Sequence, residues 1–129
     1  MADAKTLVKS YFDRAMAGDE NLGELFADDA FWWVPESSPL GGTHQGREAI
    51  LAMLERAFAV YDTSTMKVNL LELFGEGENA CVRFEVDSDT ANGRHWKGDY
   101  VAIFNVVDGR IRGVREYFDS ARLIPVVFE

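Results

Sequence analysis

The chain has 129 residues, 47% of them apolar, a formal net charge of -9 and a sequence pI near 4.6. That size suits one domain over residues 1–129, able to bury roughly two-thirds of its unfolded surface without staples. The acidic balance argues against nucleic acid and against an anionic membrane surface, because nothing neutralises phosphates at scale.

The single Cys81 excludes an internal disulfide and a cysteine metal cage, and two distant histidines make no ligand cluster, so no metal is expected. The opening MADAKTLVKSYF carries no leader-like apolar run, and no stretch reaches the ~20 apolar residues of a membrane span. A cytoplasmic protein is the simplest expectation.

In chain order, Leu7, Val8, Tyr11, Phe12 and Ala15 recur at helical spacing, with Asp3 as cap and Gly18 as terminator. NLGELFADDA reads as a short second helix ending in a turn at Asp28-Asp29. AFWWVP is aromatic, β-prone and stopped by Pro35, which predicts a strand over about 30–34. ESSPLGGTHQG reads as a loop. Ile50, Leu51, Leu54, Ala57 and Phe58 predict a third helix from Arg47 to Val60.

Beyond it the period changes to two. Strands are expected at about 65–74, 79–89, 95–107 and 110–118, punctuated by GEGEN, NG and DG as hairpin turns. Helices followed by a meander make an α+β fold: a cone-shaped barrel of a highly curved antiparallel sheet with three N-terminal helices on its concave face. Such a cone can leave a pocket between its layers.

Two strands carry charge in unusual places. In ACVRFEVDSD, Val82, Phe84 and Val86 alternate with Cys81, Arg83, Glu85 and Asp87, which read alone is a half-buried strand with a solvated charged face. In GRIRGVREYFDS each side mixes charge with apolar groups: Arg112, Val114, Glu116 and Phe118 on one, Ile111, Gly113, Arg115 and Tyr117 on the other.

YFDRAMAGDENLGELFADDAFWWVPESSPLGGTHQGREAI followed by GDYVAIFNVVDGRIRGVREYFDS resembles the SnoaL-like branch of the nuclear transport factor 2-like superfamily, whose relatives include ketosteroid isomerase, limonene epoxide hydrolase and polyketide cyclases. The resemblance implies the conical fold and cofactor-free acid/base chemistry, as isomerase, cyclase or epoxide hydrolase, on a small apolar molecule in the pocket. The fold also hosts non-catalytic binders, so a ligand-binding or accessory dimerisation domain is the alternative.

By similarity to limonene epoxide hydrolase, Arg83 and Glu85 in Arg83-Phe84-Glu85 and Glu116 in VREYFD take the catalytic positions. Glu116 would then be the general base, Glu85 the general acid, and Arg83 the group that separates their protonation. That family's water-holding Tyr and Asn are replaced by Phe31 and Trp33, which offer no acceptor.

Against ketosteroid isomerase, Tyr11 matches the oxyanion-stabilising Tyr. Val34 replaces the base before Pro35, and Tyr100 replaces the buried Asp. The expected ligand-binding set is Tyr11, Phe31, Trp33, Leu54, Tyr100, Phe104 and Phe118. The cyclase pattern of an Asp and a His finds no secure match in His44 or His95. On the outer face, Val101, Ile103, Ile111 and Trp32 are expected to supply the apolar area of a homodimer.

Overall fold

The computed structural model describes residues 3–129. Helix α1 (Ala4–Met16) starts where the Asp3 side chain accepts from the Thr6 amide at 2.9 Å, and it buries Leu7, Val8 and Tyr11. The chain leaves it through Gly18, whose φ of 68° suits a residue without Cβ. The second helix expected in NLGELFADDA is only a 3-10 turn, Leu22–Leu25. Its remainder opens strand β1 (Phe26–Val34), because Phe26, Ala30, Trp32 and Val34 alternate inward at even positions.

The expected loop contains a short strand, β2 (Gly42–Gln45), paired antiparallel to β1. Helix α2 (Arg47–Ala59) follows and buries Ile50, Met53 and Leu54. Strands β3 (Lys67–Glu76), β4 (Asn79–Asp89), β5 (His95–Val107) and β6 (Arg110–Phe118) form the expected meander. A short helix α3 (Ser120–Leu123), capped by Asp119, and a π-helical turn (Ile124–Phe128) close the described chain. The third helix is therefore C-terminal.

The six strands run in the order β2-β1-β6-β5-β4-β3. All neighbours are antiparallel except β1 and β6, which are parallel, so the expected α+β cone is built on a sheet that is mixed and open. Bulges bend it. On β3 the register slips between Leu70 and Glu72, moving the inward set from Val68 and Leu70 to Leu73. On β6 the residue opposite Val106 is Ile111 while the residue opposite Asn105 is Gly113, so Arg112 is the extra residue.

That bulge explains the mixed alternation of GRIRGVREYF. Ile111 points in before it; Val114, Glu116 and Phe118 point in after it. Arg112 therefore faces out, 3.8 Å from Asp29, and Ile111 is fully buried rather than outer-face surface. Trp32 is also corrected: it is 3% exposed and packs in the interior against Tyr11, Phe26 and Phe104.

Among the described residues no helix is long and apolar enough to cross a membrane.

Candidate functional site

Between the sheet's inner face and the helices lies a cavity of about 130 Å³. Its floor comes from β1, β4, β5 and β6 through Trp32, Phe84, Tyr100, Ala102, Phe104, Glu116 and Phe118. Tyr11 and Phe12 of α1, Met53 and Leu54 of α2, and Tyr61 after α2 form its walls, and Leu123 and Phe128 reach it from the C-terminal segment. Space is left beside Glu116 by a small neighbour: the residue opposite it on β5 is Ala102, which also lines the cavity.

Among the described residues, Glu116 is the only carboxylate on this wall. Among the described residues it makes no ion pair; its one side-chain partner is the Trp32 indole, which donates Nε1–H to Oε1 at 3.3 Å. Burial among apolar groups pushes its carboxyl up to about 7, the Trp32 donor opposing that rise. A carboxyl so placed is divided between acid and base near neutral pH, which lets it accept or release a proton without a partner.

Three phenols share the cavity with it. Tyr11 is buried with its ring nearly perpendicular to those of Phe12 and Phe26, and burial first, then the Glu116 charge, raises its hydroxyl so that it stays protonated. Tyr100 stacks on Phe84, with ring planes 8° apart. Its hydroxyl accepts from Trp96 Nε1 at 2.9 Å and lies 3.2 Å from the Tyr61 hydroxyl. Burial raises both of these phenols as well.

The predicted site residues divide by strand face. Glu116, Tyr11, Leu54, Tyr100, Phe104 and Phe118 meet in the cavity. Arg83 and Glu85 do not. Val82, Phe84 and Val86 occupy the inner face of β4, so the residues between them point outward. Arg83 pairs there with Glu72 at 2.9 Å and Asp99 at 2.7 Å, and Glu85 accepts from Asn69 at 3.5 Å. The expected triad of Arg83, Glu85 and Glu116 is thus split by the sheet.

Phe31 and Trp33 are displaced by the same rule. Phe31 lies under the Arg115 guanidinium on the outer face, and Trp33 packs on Tyr117 with ring centroids 5.0 Å apart. Trp32 takes the place assigned to them. The inward parity of Ala30 and Val34 carried that signal, whereas nothing in the sequence marked Tyr61.

The two histidines lie elsewhere. His44 on β2 bonds the Leu40 carbonyl at 2.7 Å and pins the preceding loop. His95 sits between Asp89 at 2.8 Å and Asp87 at 2.7 Å on an exposed edge.

Residues 8–114 match the SnoaL-like domain. No curated protein matches the chain. The fold is similar to an NTF2-like protein of unknown function from Burkholderia pseudomallei, with TM-score 0.88, 21% identity and 100% of each chain covered. It is also similar to TerC co-crystallised with polyporic acid, with TM-score 0.83, 20% identity and 96% and 97% of the two chains covered. A third likeness is to a putative SnoaL-like polyketide cyclase from Jannaschia sp. CCS1, with TM-score 0.78, 14% identity and 98% and 95% covered. At these identities the structural likenesses speak for the fold, and the domain match over most of the chain speaks for the family. The chain belongs to the SnoaL-like domain family.

Proposed function

We propose that the protein binds a small apolar ligand in its cavity and performs cofactor-free proton transfer on it, with Glu116 as the group that takes and returns the proton. The observation that carries this reading is one carboxylate that, among the described residues, has no cation beside it, on the wall of an otherwise apolar and aromatic cavity. Isolated buried charge is expensive, and a purely structural carboxylate would be expected to keep an ion pair. The reaction is then of the isomerase or cyclase kind, in which a single group can serve as base and then acid. Hydrolysis of the epoxide-hydrolase type is disfavoured, since Arg83 and Glu85 stand across the sheet.

That same displacement favours a second reading, a binding domain that sequesters its ligand without turnover. A panel of small apolar ketones, epoxides and phenols screened by thermal shift separates the two, because a ligand that binds only the native state raises the melting temperature. Ligands found in this way are incubated with wild type and with Glu116→Gln in D2O, and conversion and deuterium uptake are followed by NMR. Proton transfer predicts binding to both proteins and exchange or conversion by wild type alone. Binding without either in wild type favours the sequestering domain, and equal turnover by both proteins removes Glu116 from the mechanism.

We also infer that the protein is a homodimer through the outer face of the sheet. Phe74 at 62%, Tyr117 at 44% and Ile103 at 40% exposure place apolar side chains on three strands of that face. A curved sheet with one solvated apolar side gains by covering it with its own copy. Of the residues expected there, Val101 and Ile103 belong to this face, while Ile111 and Trp32 do not.

A further inference from the structure

Trp96, Gly98 and Tyr100 lie on the same inner side of β5. Gly98 has no side chain, and a Cβ there would collide with Cζ2 of the Trp96 indole. The indole therefore lies flat across Gly98, held from the other side by the Arg122 guanidinium 4.9 Å from its ring, and its N–H reaches the Tyr100 oxygen at 2.9 Å. An indole N–H can only donate. The direction of this bond is fixed.

Tyr100 and Tyr61 bring two hydroxyl protons to their contact, and the bond between them uses one. Among the described residues no other acceptor receives the second. Because Tyr100 already accepts from Trp96, it is polarised to donate onward, and the chain runs from Trp96 through Tyr100 to Tyr61. The proton left over is then on Tyr61, whose side chain lines the cavity. A hydroxyl donor on the wall of an otherwise apolar cavity calls for a ligand acceptor, since a ligand that covered it without offering one would leave it unpaired at a cost of about 1–3 kcal/mol.

We propose that the ligand is an apolar single-ring compound bearing a hydrogen-bond acceptor, and that Tyr61, oriented by Trp96 through Tyr100, donates the hydrogen bond that selects it. This rests on the reading of the cavity as a binding site for apolar ligands, and it assigns the specificity to a residue outside the Glu116 chemistry. A cavity of about 130 Å³ suits a single-ring compound, since an apolar cavity of roughly 150 Å³ takes up benzene.

The test compares acetophenone with isopropylbenzene, which differ in having a carbonyl or a methyl-bearing carbon at the same place. Affinities are measured by ligand-observed NMR for wild type, Tyr61→Phe and Tyr11→Phe. Wild type is expected to prefer acetophenone, and Tyr61→Phe to lower the ratio of affinities about tenfold while leaving isopropylbenzene binding unchanged, as expected for one lost hydrogen bond. The infrared carbonyl band of acetophenone bound to wild type is expected below its position in hexane, and to move back in Tyr61→Phe.

A hexane-like band in wild type overturns the proposal with no variant needed. An unchanged affinity ratio in Tyr61→Phe overturns it too, as does loss of the ratio in Tyr11→Phe alone, which gives the carbonyl to Tyr11. If neither compound binds wild type, the apolar-cavity reading falls and this proposal falls with it.

Discussion

Trp32 on β1 donates its indole N–H to Glu116 on the parallel neighbour β6, at 3.3 Å, and it is the sole side-chain hydrogen bond to that carboxylate among the described residues. Adjacent parallel strands bring an aromatic donor and a buried acid together, and among the described residues no cation joins them. Glu116 is thereby held in place while its proton affinity is set by burial.

The Glu116→Gln protein should be more stable than wild type at alkaline pH. Burial raises the native carboxyl to about 7 from 4.5, so between those values the unfolded chain ionises while the folded one stays protonated. The unfolded state then binds fewer protons, and stability falls as pH rises, levelling off above about 7 at a cost of roughly 3 kcal/mol. Urea unfolding at pH 4.5 and pH 8 should show the Gln advantage at pH 8 only. An equal difference at both values would refute a raised carboxyl.

Trp32→Phe should raise the Glu116 midpoint further, because it removes the one donor that favours the ionised form. A pH titration of the Glu116 side-chain carbon by NMR checks the direction. A midpoint moving toward 4.5 would mean that the indole does not stabilise the carboxylate.

Two glycines on neighbouring strands should respond differently to alanine. At Gly98 the added methyl meets Trp96, which is 3% exposed and tied to Tyr100, so it has nowhere to go. At Gly113 it meets the tip of the Phe31 ring, which is partly exposed on the outer face and can swing aside. Gly98→Ala is expected to cost about 1–3 kcal/mol by overpacking, and Gly113→Ala less. Thermal unfolding of the two variants would contradict this if the order were reversed.

His95 should titrate above the ordinary histidine range, raised first by its bond to Asp89 and then by that to Asp87. The stabilisation from this clamp is present in full below about 6.5 and is lost as pH rises through the native value. Asp89→Asn should lower the histidine midpoint in an NMR titration. No change would leave Asp87 as its only effective partner.

Light scattering at micromolar concentration should report a dimer, and Ile103→Glu should raise its dissociation constant at least about tenfold by setting a charge in the middle of the outer apolar face. Since Ile103 is already 40% exposed in the single chain, the variant should fold normally. A wild-type monomer would contradict the homodimer directly.

Period and turn chemistry in the sequence led directly to α1, α2 and the four-strand meander, and the inward sets of β4 and β5 follow from their apolar alternation. Reading Arg83 and Glu85 inward set that alternation aside in favour of a family's catalytic pattern, and the apolar Val82, Phe84 and Val86 took the inner face as their hydrophobicity requires. GRIRGVREYF resisted a two-fold reading because a bulge at Arg112 changes the inward parity within the strand, and a bulge depends on the partner's register rather than on local composition. NLGELFADDA had helical spacing, yet pairing of Phe26 with Ile111 drew its second half into the sheet. Tyr61 became visible only through Tyr100 and Trp96, since a hydrogen-bond chain assembled from α2's exit and β5 leaves no trace in either segment alone.

The measurement that bears most directly on Glu116 as the proton carrier is the titration of its carboxyl in the folded protein, followed through the side-chain 13C signal and assigned by its loss in Glu116→Gln. A midpoint of about 7 is predicted. A midpoint near 4.5 would mean an ionised carboxylate throughout the neutral range, and Glu116 could not then serve as both acid and base.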